Sequence, residues 1–221
     1  MSEQTWSDVD AYYSRALLPE DPVMRQVLQN AVDADLPPIH IEPNQGAFLQ
    51  LLARGCGASR ILELGTLGGF STIWMARGLP AGGKLVTLEL DPDCAEVARK
   101  NFALAGVEDR IDLRLGSAAD SLRAMIAAGE EPFDFVFFDA DKDGYPEYLE
   151  LSMQLVHPGS MLVADNVARQ AQILNPDCED PSVQGTQAFL KKLGADPRLD
   201  ATALQTVGAK GYDGFALAVV R

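Results

Sequence analysis

RILELGTLGGFS, residues 60–71, decides the fold. Arg60 to Leu64 is a short apolar-rich run that stops at Gly65; two more glycines, Gly68 and Gly69, follow before helical text opens near Ser71. A strand, a glycine turn and a helix in succession form the opening unit of a sheet built by crossovers. The texture repeats downstream in KLVTLEL (84–90), RIDLRLG (110–116), FDFVFFDA (133–140) and SMLVADN (160–166), with further helical stretches from near Pro92, Ala118 and Pro146. Such alternation puts helices on both faces of a mostly parallel sheet. LDATALQTV (199–207) and YDGFALAVV (212–220) are joined by only Gly208 to Gly211, so they must run antiparallel. The expected fold is α/β and Rossmann-like, with about seven strands and a C-terminal antiparallel hairpin.

Upstream of this core the text is helical. Val9, Tyr12, Tyr13, Ala16 and Leu17, then Val23, Val27, Leu28 and Ala31, recur at threes and fours. A third helix is expected over Glu42 to Gly55, with Pro43 near its start and Phe48, Leu49 and Leu52 on one face. The chain length suits one domain, residues 1–221, with a helical lead-in (1–42) and a Rossmann-like core (43–221). Residues 166–182, with Pro176 and Pro181 and little apolar period, form the candidate mobile loop. Tyr12, Tyr13 and Met24 are expected as core or dimer contacts, or as cover for a pocket.

Composition narrows the function. With 32 acidic against 18 basic residues, the net charge of -14 repels nucleic acid phosphates and anionic membranes. The first ten residues are polar and acidic, unlike a signal peptide, and no apolar run approaches a membrane span, so the expected location is cytoplasmic. Three cysteines without CxxC spacing suggest neither a disulfide framework nor zinc; Cys56 and Cys94 fit small buried hydrophobes. Trp6 and Trp74 read as packing residues.

In open α/β sheets the chemistry gathers beyond the carboxyl ends of the strands. The first end, Glu63 to Ser71, spaces its glycines GxxGG rather than GxGxxG, which argues against a pyrophosphate on the helix N-terminus. Glu63 would repel a phosphate but suits an ammonium; Ser71 either caps the helix or donates to a carboxylate. Glu89, 21 residues after Gly68, is placed to accept from both hydroxyls of a ribose, while Asp91 before Pro92 is an N-cap. Gly116-Ser117-Ala118 either let an adenine approach the backbone or simply cap a helix. The fourth end collects Asp139, Asp141, Lys142 and Asp143, and the fifth ends in Asp165-Asn166. If the two strands are neighbours, Asp139, Asp165 and Asn166 converge as oxygen ligands. Such a set selects magnesium, or else manganese or calcium, over zinc. Against this stands the common use of acidic residues at strand ends and helix caps.

ELGTLGGFS, LELD, FDADKDGY and VADNV together resemble the metal-dependent O-methyltransferases that include the catechol and caffeoyl-coenzyme A enzymes. The similarity runs from about Pro43 to the end and includes QTVGAKGYDGFAL (205–217). It implies a class I methyltransferase fold, S-adenosylmethionine as cofactor and a homodimer. It further implies that Asp139, Asp165 and Asn166 bind the cation, and that Glu63, Gly65, Ser71, Glu89, Ala118 and Asp141 contact the cofactor. Ile41 would lie beside the methionine moiety, and Lys142 matches the general-base position of catechol methyltransferases.

Methyl transfer from a sulfonium is an in-line displacement that needs an aligned, deprotonated oxygen, and chelation of a hydroxyl by a divalent cation supplies both conditions. Lys142 takes the proton only if its surroundings depress its pKa; otherwise it orients the oxygen, or merely neutralises its acidic neighbours. Arg169-Gln170 stand where plant enzymes carry an aromatic segment, which leaves the acceptor's identity open; Arg169 pairs with an acidic substrate group or with the surface. Arg169, Gln170 and Tyr145 are the candidate substrate residues. His157 is expected in a structural turn at the far end of strand five, and His40 in a loop near the cofactor edge. The favoured acceptor is a small molecule with vicinal aromatic hydroxyls. The alternatives are a hydroxylated uridine of transfer RNA, disfavoured by the acidity, and a non-catalytic module that binds cofactor or partner. A nicotinamide dehydrogenase fits less well.

Overall fold

The computed structural model describes residues 2–221. Three helices lead in: α1 (Glu3–Leu17), α2 (Pro22–Asp33) and α3 (Pro43–Gly55). Then β1 (Arg60–Leu64), α4 (Phe70–Gly78), β2 (Lys84–Glu89), α5 (Pro92–Ala105), β3 (Ile111–Leu115), α6 (Ala118–Ala128), β4 (Phe133–Phe138), α7 (Tyr145–Ser152) and β5 (Val156–Ala164) alternate. Helix α8 (Pro181–Ala195) precedes the closing hairpin of β6 (Leu199–Gly208) and β7 (Gly211–Val220). The strands form one seven-stranded sheet in the order β3-β2-β1-β4-β5-β7-β6, parallel except where β7 pairs with β5 and β6. This is the architecture expected from the sequence.

Because side chains alternate along a strand, each strand feeds two cores. Leu62, Leu64, Val86, Val136, Phe138 and Leu162 pack with residues of α6, α7 and α8 on one face. Ile61, Leu85, Phe135, Phe137 and Val163 pack with residues of α2 to α5 on the other. Both sides of β1 and β4 are therefore covered, which is why their text is almost continuously apolar.

Several helices start where local chemistry dictates. Asp21, Asp91 and Asp180 accept backbone N–H bonds as N-caps, each with proline in the first turn. Helix α4 begins at Phe70 rather than Ser71, with Gly69 at φ +82° as its cap, so Ser71 is not a cap. Strand β5 starts at Val156, earlier than the apolar run suggests, because Ser160 Oγ accepts from His157 N and donates to Phe133 O across a β4–β5 register shift. The 166–182 loop contains a short 3-10 segment over Arg169–Leu174.

The lead-in corrects one expectation. Helix α1 buries none of its residues, and Tyr12 and Tyr13 are 62% and 49% exposed, so its apolar period does not mark a core face. Neither tyrosine lines a cavity at the sheet's carboxyl edge, whereas Met24 of α2 is buried in the core as expected. Among the described residues no helix is long and apolar enough to cross a membrane. All three cysteines are unpaired, with Cys94 buried and Cys56 and Cys178 half-buried.

Candidate active site

The β1–α4 turn is held from beneath by a buried carboxylate. Glu63 is fully buried and accepts hydrogen bonds from Ser71 Oγ (2.5 Å), Thr72 Oγ1 (2.5 Å) and Thr87 Oγ1 (2.7 Å). Burial pushes its carboxyl up to about 7 despite the three hydroxyls, and the charge of Asp139 adds to the rise. Glu63 is not among the residues that line the cavity above it, whereas Ser71, which donates to it, is. Gly65 stands at φ +96°, and a Cβ there would lie 2.4 Å from the Asp139 carbonyl oxygen. Only glycine lets β1 and β4 release their chains this close together. Glu89, at the tip of β2, fixes the turn from the side by accepting from Thr66 N and Leu67 N through Oε2.

The tips of β4 and β5 are neighbours, with Phe138 paired to Ala164, so Asp139 and Asp165 emerge side by side. Burial raises both carboxyls, Asp165 to about 6, and the charge of Asp139 contributes to the Asp165 shift. Lys142 is buried at 7% exposure, and its Nζ donates to Asp139 Oδ1 (3.0 Å) and Tyr145 Oη (2.7 Å). Tyr145 Oη donates in turn to Phe138 O (2.6 Å). Asn166 follows at φ +56°, its N–H bonded to Asp165 Oδ1. Asp213 of β7 secures the next turn, its Oδ1 accepting from Ala168 N and Arg169 N.

Among the described residues no three His, Cys, Asp or Glu side chains form a metal-binding group. The donor set at the β4 and β5 tips is a half-buried Asp139 and a buried Asp165, whose charges oppose one another, with an amide beside them, and it suits a hard divalent cation needing oxygen ligands.

Two cavities meet at this point. The first, about 640 Å³, is lined by Gly65, Ser71, Glu89 and Ala118 along the β1 to β3 tips, with Asp139, Asp141 and Lys142 at β4. Tyr148 Oη donates to Asp141 Oδ1 and holds that carboxylate at the rim. The second, about 310 Å³, contains Asp165 and is floored by Phe48 and Phe215, whose ring centroids are 5.1 Å apart. Ile41 and Asn166 line both, as does His40, which is indeed a loop residue but faces the two cavities.

Of the candidate substrate residues, Arg169 lines the first cavity, and its Nε is buried without a partner among the described residues. Gln170 lines neither cavity. Tyr145 does not line a pocket as expected: it is fully buried under Lys142, with Phe138 and Phe189 against its ring. Sequence reasoning passed over Glu42, Gln45, Phe48, Lys210 and Phe215 of the second cavity, because the lead-in and the hairpin meet only in space. The signal for Lys210 and Phe215 lay in QTVGAKGYDGFAL, noted for its similarity but not for any chemistry.

Slotting an antiparallel β7 between β5 and β6, beyond a parallel 3-2-1-4-5 sheet whose tips carry a glycine turn and Glu89, is the plan of class I methyltransferases, the architecture of S-adenosylmethionine-dependent enzymes. A family model described as O-methyltransferase matches residues 13–219, and the chain belongs to that family. It is 48% identical over 221 residues to a catechol O-methyltransferase of Niastella koreensis, covering 100% of both chains. It is 47% identical to a catechol O-methyltransferase of Mycobacterium tuberculosis, over 97% of this chain and 96% of the relative. An O-methyltransferase from Bacillus cereus, solved in complex with SAH, superposes with a TM-score of 0.98 at 48% identity, covering 100% of both chains.

Proposed function

We propose that the protein transfers a methyl group from S-adenosylmethionine to one hydroxyl of a small vicinal dihydroxy-aromatic acceptor, assisted by a divalent cation, with magnesium the first choice. The observation that carries this reading is the meeting of the two cavities at Ile41 and Asn166, beside the half-buried Asp139 and the buried Asp165. The larger cavity takes the cofactor, consistent with SAH in the Bacillus cereus relative. There Glu89 accepts from the ribose, Ala118 and Gly65 allow close approach, and Ser71, Asp141 and Ile41 surround the remainder. The smaller cavity takes the aromatic ring on Phe48 and Phe215. Two catechol O-methyltransferases among the relatives support that acceptor class.

Asp139, Asp165 and Asn166 would hold the cation. Bound there, a divalent ion lowers the pKa of a chelated hydroxyl and fixes its direction. Lys142 acts beside Asp139, in the wall of the first cavity. Two of its three N–H bonds are committed, to Asp139 and Tyr145, which leaves one for the acceptor oxygen. Tyr145 is fixed in its accepting role because its own proton goes to Phe138 O. Lys142 therefore orients the oxygen and balances its charge.

A homodimer fits the exposed apolar residues of α1 and of the β6 edge, Tyr12, Leu17, Leu204 and Val207, and sedimentation equilibrium tests it. A cytoplasmic setting fits the three unpaired cysteines. The deciding experiment supplies labelled S-adenosylmethionine, catechol and magnesium to the purified protein. Labelled product that disappears in EDTA is expected, and unchanged turnover in EDTA overturns the metal-assisted reading.

A further inference from the structure

Lys210 lies at the tip of the β6–β7 hairpin and lines the second cavity. Its position is built. Ala209 N donates to Asp10 Oδ2 (2.8 Å), and Asn44 Nδ2 donates to Asp10 Oδ1 (2.9 Å), so the hairpin tip is tied to α1 and α3. Gly208 leaves room for that tie, since a Cβ there would lie 2.4 Å from Asp10 Oδ2.

The carboxylates around the cavity are largely spoken for. Asp10 accepts from Asn44 and Ala209, Asp213 accepts from backbone N–H groups of Ala168, Arg169 and Gly214, and Asp165 accepts from Asn166 N, while Glu42, also in the cavity wall, faces Lys210 without closing an ion pair among the described residues. Lys210, the cavity's one cationic side chain among the described residues, has no hydrogen bond and no ion pair among them. Solvent still reaches it, yet the surrounding elements desolvate its amine enough to lower its pKa, against the opposing pull of Glu42, Asp139 and Asp165. A cation carried on a pinned hairpin tip beside an aromatic-lined pocket, with no ion pair closed among the described residues, is a ready recognition group.

We propose that Lys210 is a specificity-determining residue that binds a carboxylate on the acceptor, so that the preferred substrate is a dihydroxy-aromatic acid rather than a neutral catechol. This deepens the functional reading above and rests on its assignment of the second cavity to the acceptor. The reacting hydroxyl lies toward Asp165 and Asn166 at the cavity's inner end, and the acid group lies toward the hairpin. The structure offers a lysine as a point charge, which tolerates different carboxylate orientations and so fits a range of ring acids.

The test measures binding separately from turnover. Calorimetry on protein loaded with S-adenosylhomocysteine and magnesium compares 3,4-dihydroxybenzoate with catechol in the wild type, Lys210→Met and Lys210→Arg. The expected result is a loss of about 10-fold in dihydroxybenzoate affinity for Lys210→Met, near-unchanged catechol affinity, and partial recovery in Lys210→Arg. Equal losses for both ligands, no loss for either, or no dihydroxybenzoate binding by the wild type overturns the proposal. Selective binding without methyl transfer to either compound would instead sink the functional reading and leave the Lys210 assignment standing.

Discussion

Asp139 and Asp165 leave adjacent parallel strands one residue beyond the paired Phe138 and Ala164, and burial raises the carboxyl pKa of both. Two like charges brought together in a desolvated place destabilise a fold unless something between them gains by it. Lys142 offsets part of this through Asp139. In EDTA, Asp165→Asn is expected to be at least as stable as the wild type, by on the order of 1 kcal/mol, because it removes the repulsion. Magnesium should raise the melting temperature of the wild type and leave that of the variant in place. Equal magnesium responses in differential scanning calorimetry would refute Asp165 as a ligand.

Gly65 and the Asp139 carbonyl set a second constraint. Gly65→Ala meets both a φ of +96° and a contact of 2.4 Å with backbone, which cannot swing aside as a side chain would. The expected cost is about 2 kcal/mol or more in urea unfolding. Loss of S-adenosylhomocysteine affinity should accompany it, since the displaced atoms line the cofactor cavity. Gly129→Ala is the control. It has φ +63° with nothing within 4 Å, so it should cost about 1 kcal/mol and leave binding intact. Matching binding losses in both variants would show that Gly65 has no special role.

These two sites also show how much the chain revealed in advance. The apolar runs of β1, β4 and β5 and the short hairpin link made the sheet legible, since a buried parallel strand and a tight turn leave local signatures. Asp139, Asp165 and Asn166 stood out because a core has no use for them. The role of Glu63 was not legible: whether a carboxylate faces a cavity or three hydroxyls depends on Thr72 and Thr87, which approach only in the folded sheet. Tyr145 misled for the same reason, since an aromatic residue beside acidic ones gives no local sign of pointing inward. The exposed α1 kept helical apolar spacing although the chain offers it no core to bury against.

Lys142 and Tyr145 define a pair whose parts can be separated. Tyr145→Phe keeps the ring against Phe138 and Phe189 but removes the oxygen that accepts from Lys142 Nζ. With one partner gone, Lys142 is held less firmly, and kcat should fall about 10-fold with cofactor affinity unchanged. Lys142→Met should lose about 100-fold or more, because the acceptor oxygen then has no cationic donor. Wild-type kcat in Tyr145→Phe would show that Asp139 alone positions the lysine.

The far end of the sheet should give the protein a pH-dependent stability of its own. His157 Nε2 lies 2.9 Å from Asp134 Oδ1, and its Nδ1 lies 2.8 Å from Pro158 O. Both neighbours are acceptors, so only the imidazolium satisfies the two contacts at once. The hydrogen bond to Asp134, and then that to Pro158, accordingly raises the His157 pKa above its ordinary value. Burial would raise the Asp134 carboxyl, but hydrogen bonds from His157, Ser59 and Arg60 outweigh it and hold the group at about 2. A raised histidine stabilises the fold fully below its unfolded pKa of about 6.5, and that contribution is lost as pH climbs through the folded value. The lowered Asp134 stabilises above its unfolded pKa of about 3.9 and loses this as pH falls toward 2. The pair is therefore strongest between about pH 4 and 6.5. Because His157 is 40% exposed, solvent screening limits the charged part to a few tenths of a kcal/mol. His157→Gln should cost more stability at pH 5.5 than at pH 8.5 in urea titrations, and a deficit that grows toward alkaline pH would contradict the imidazolium contact.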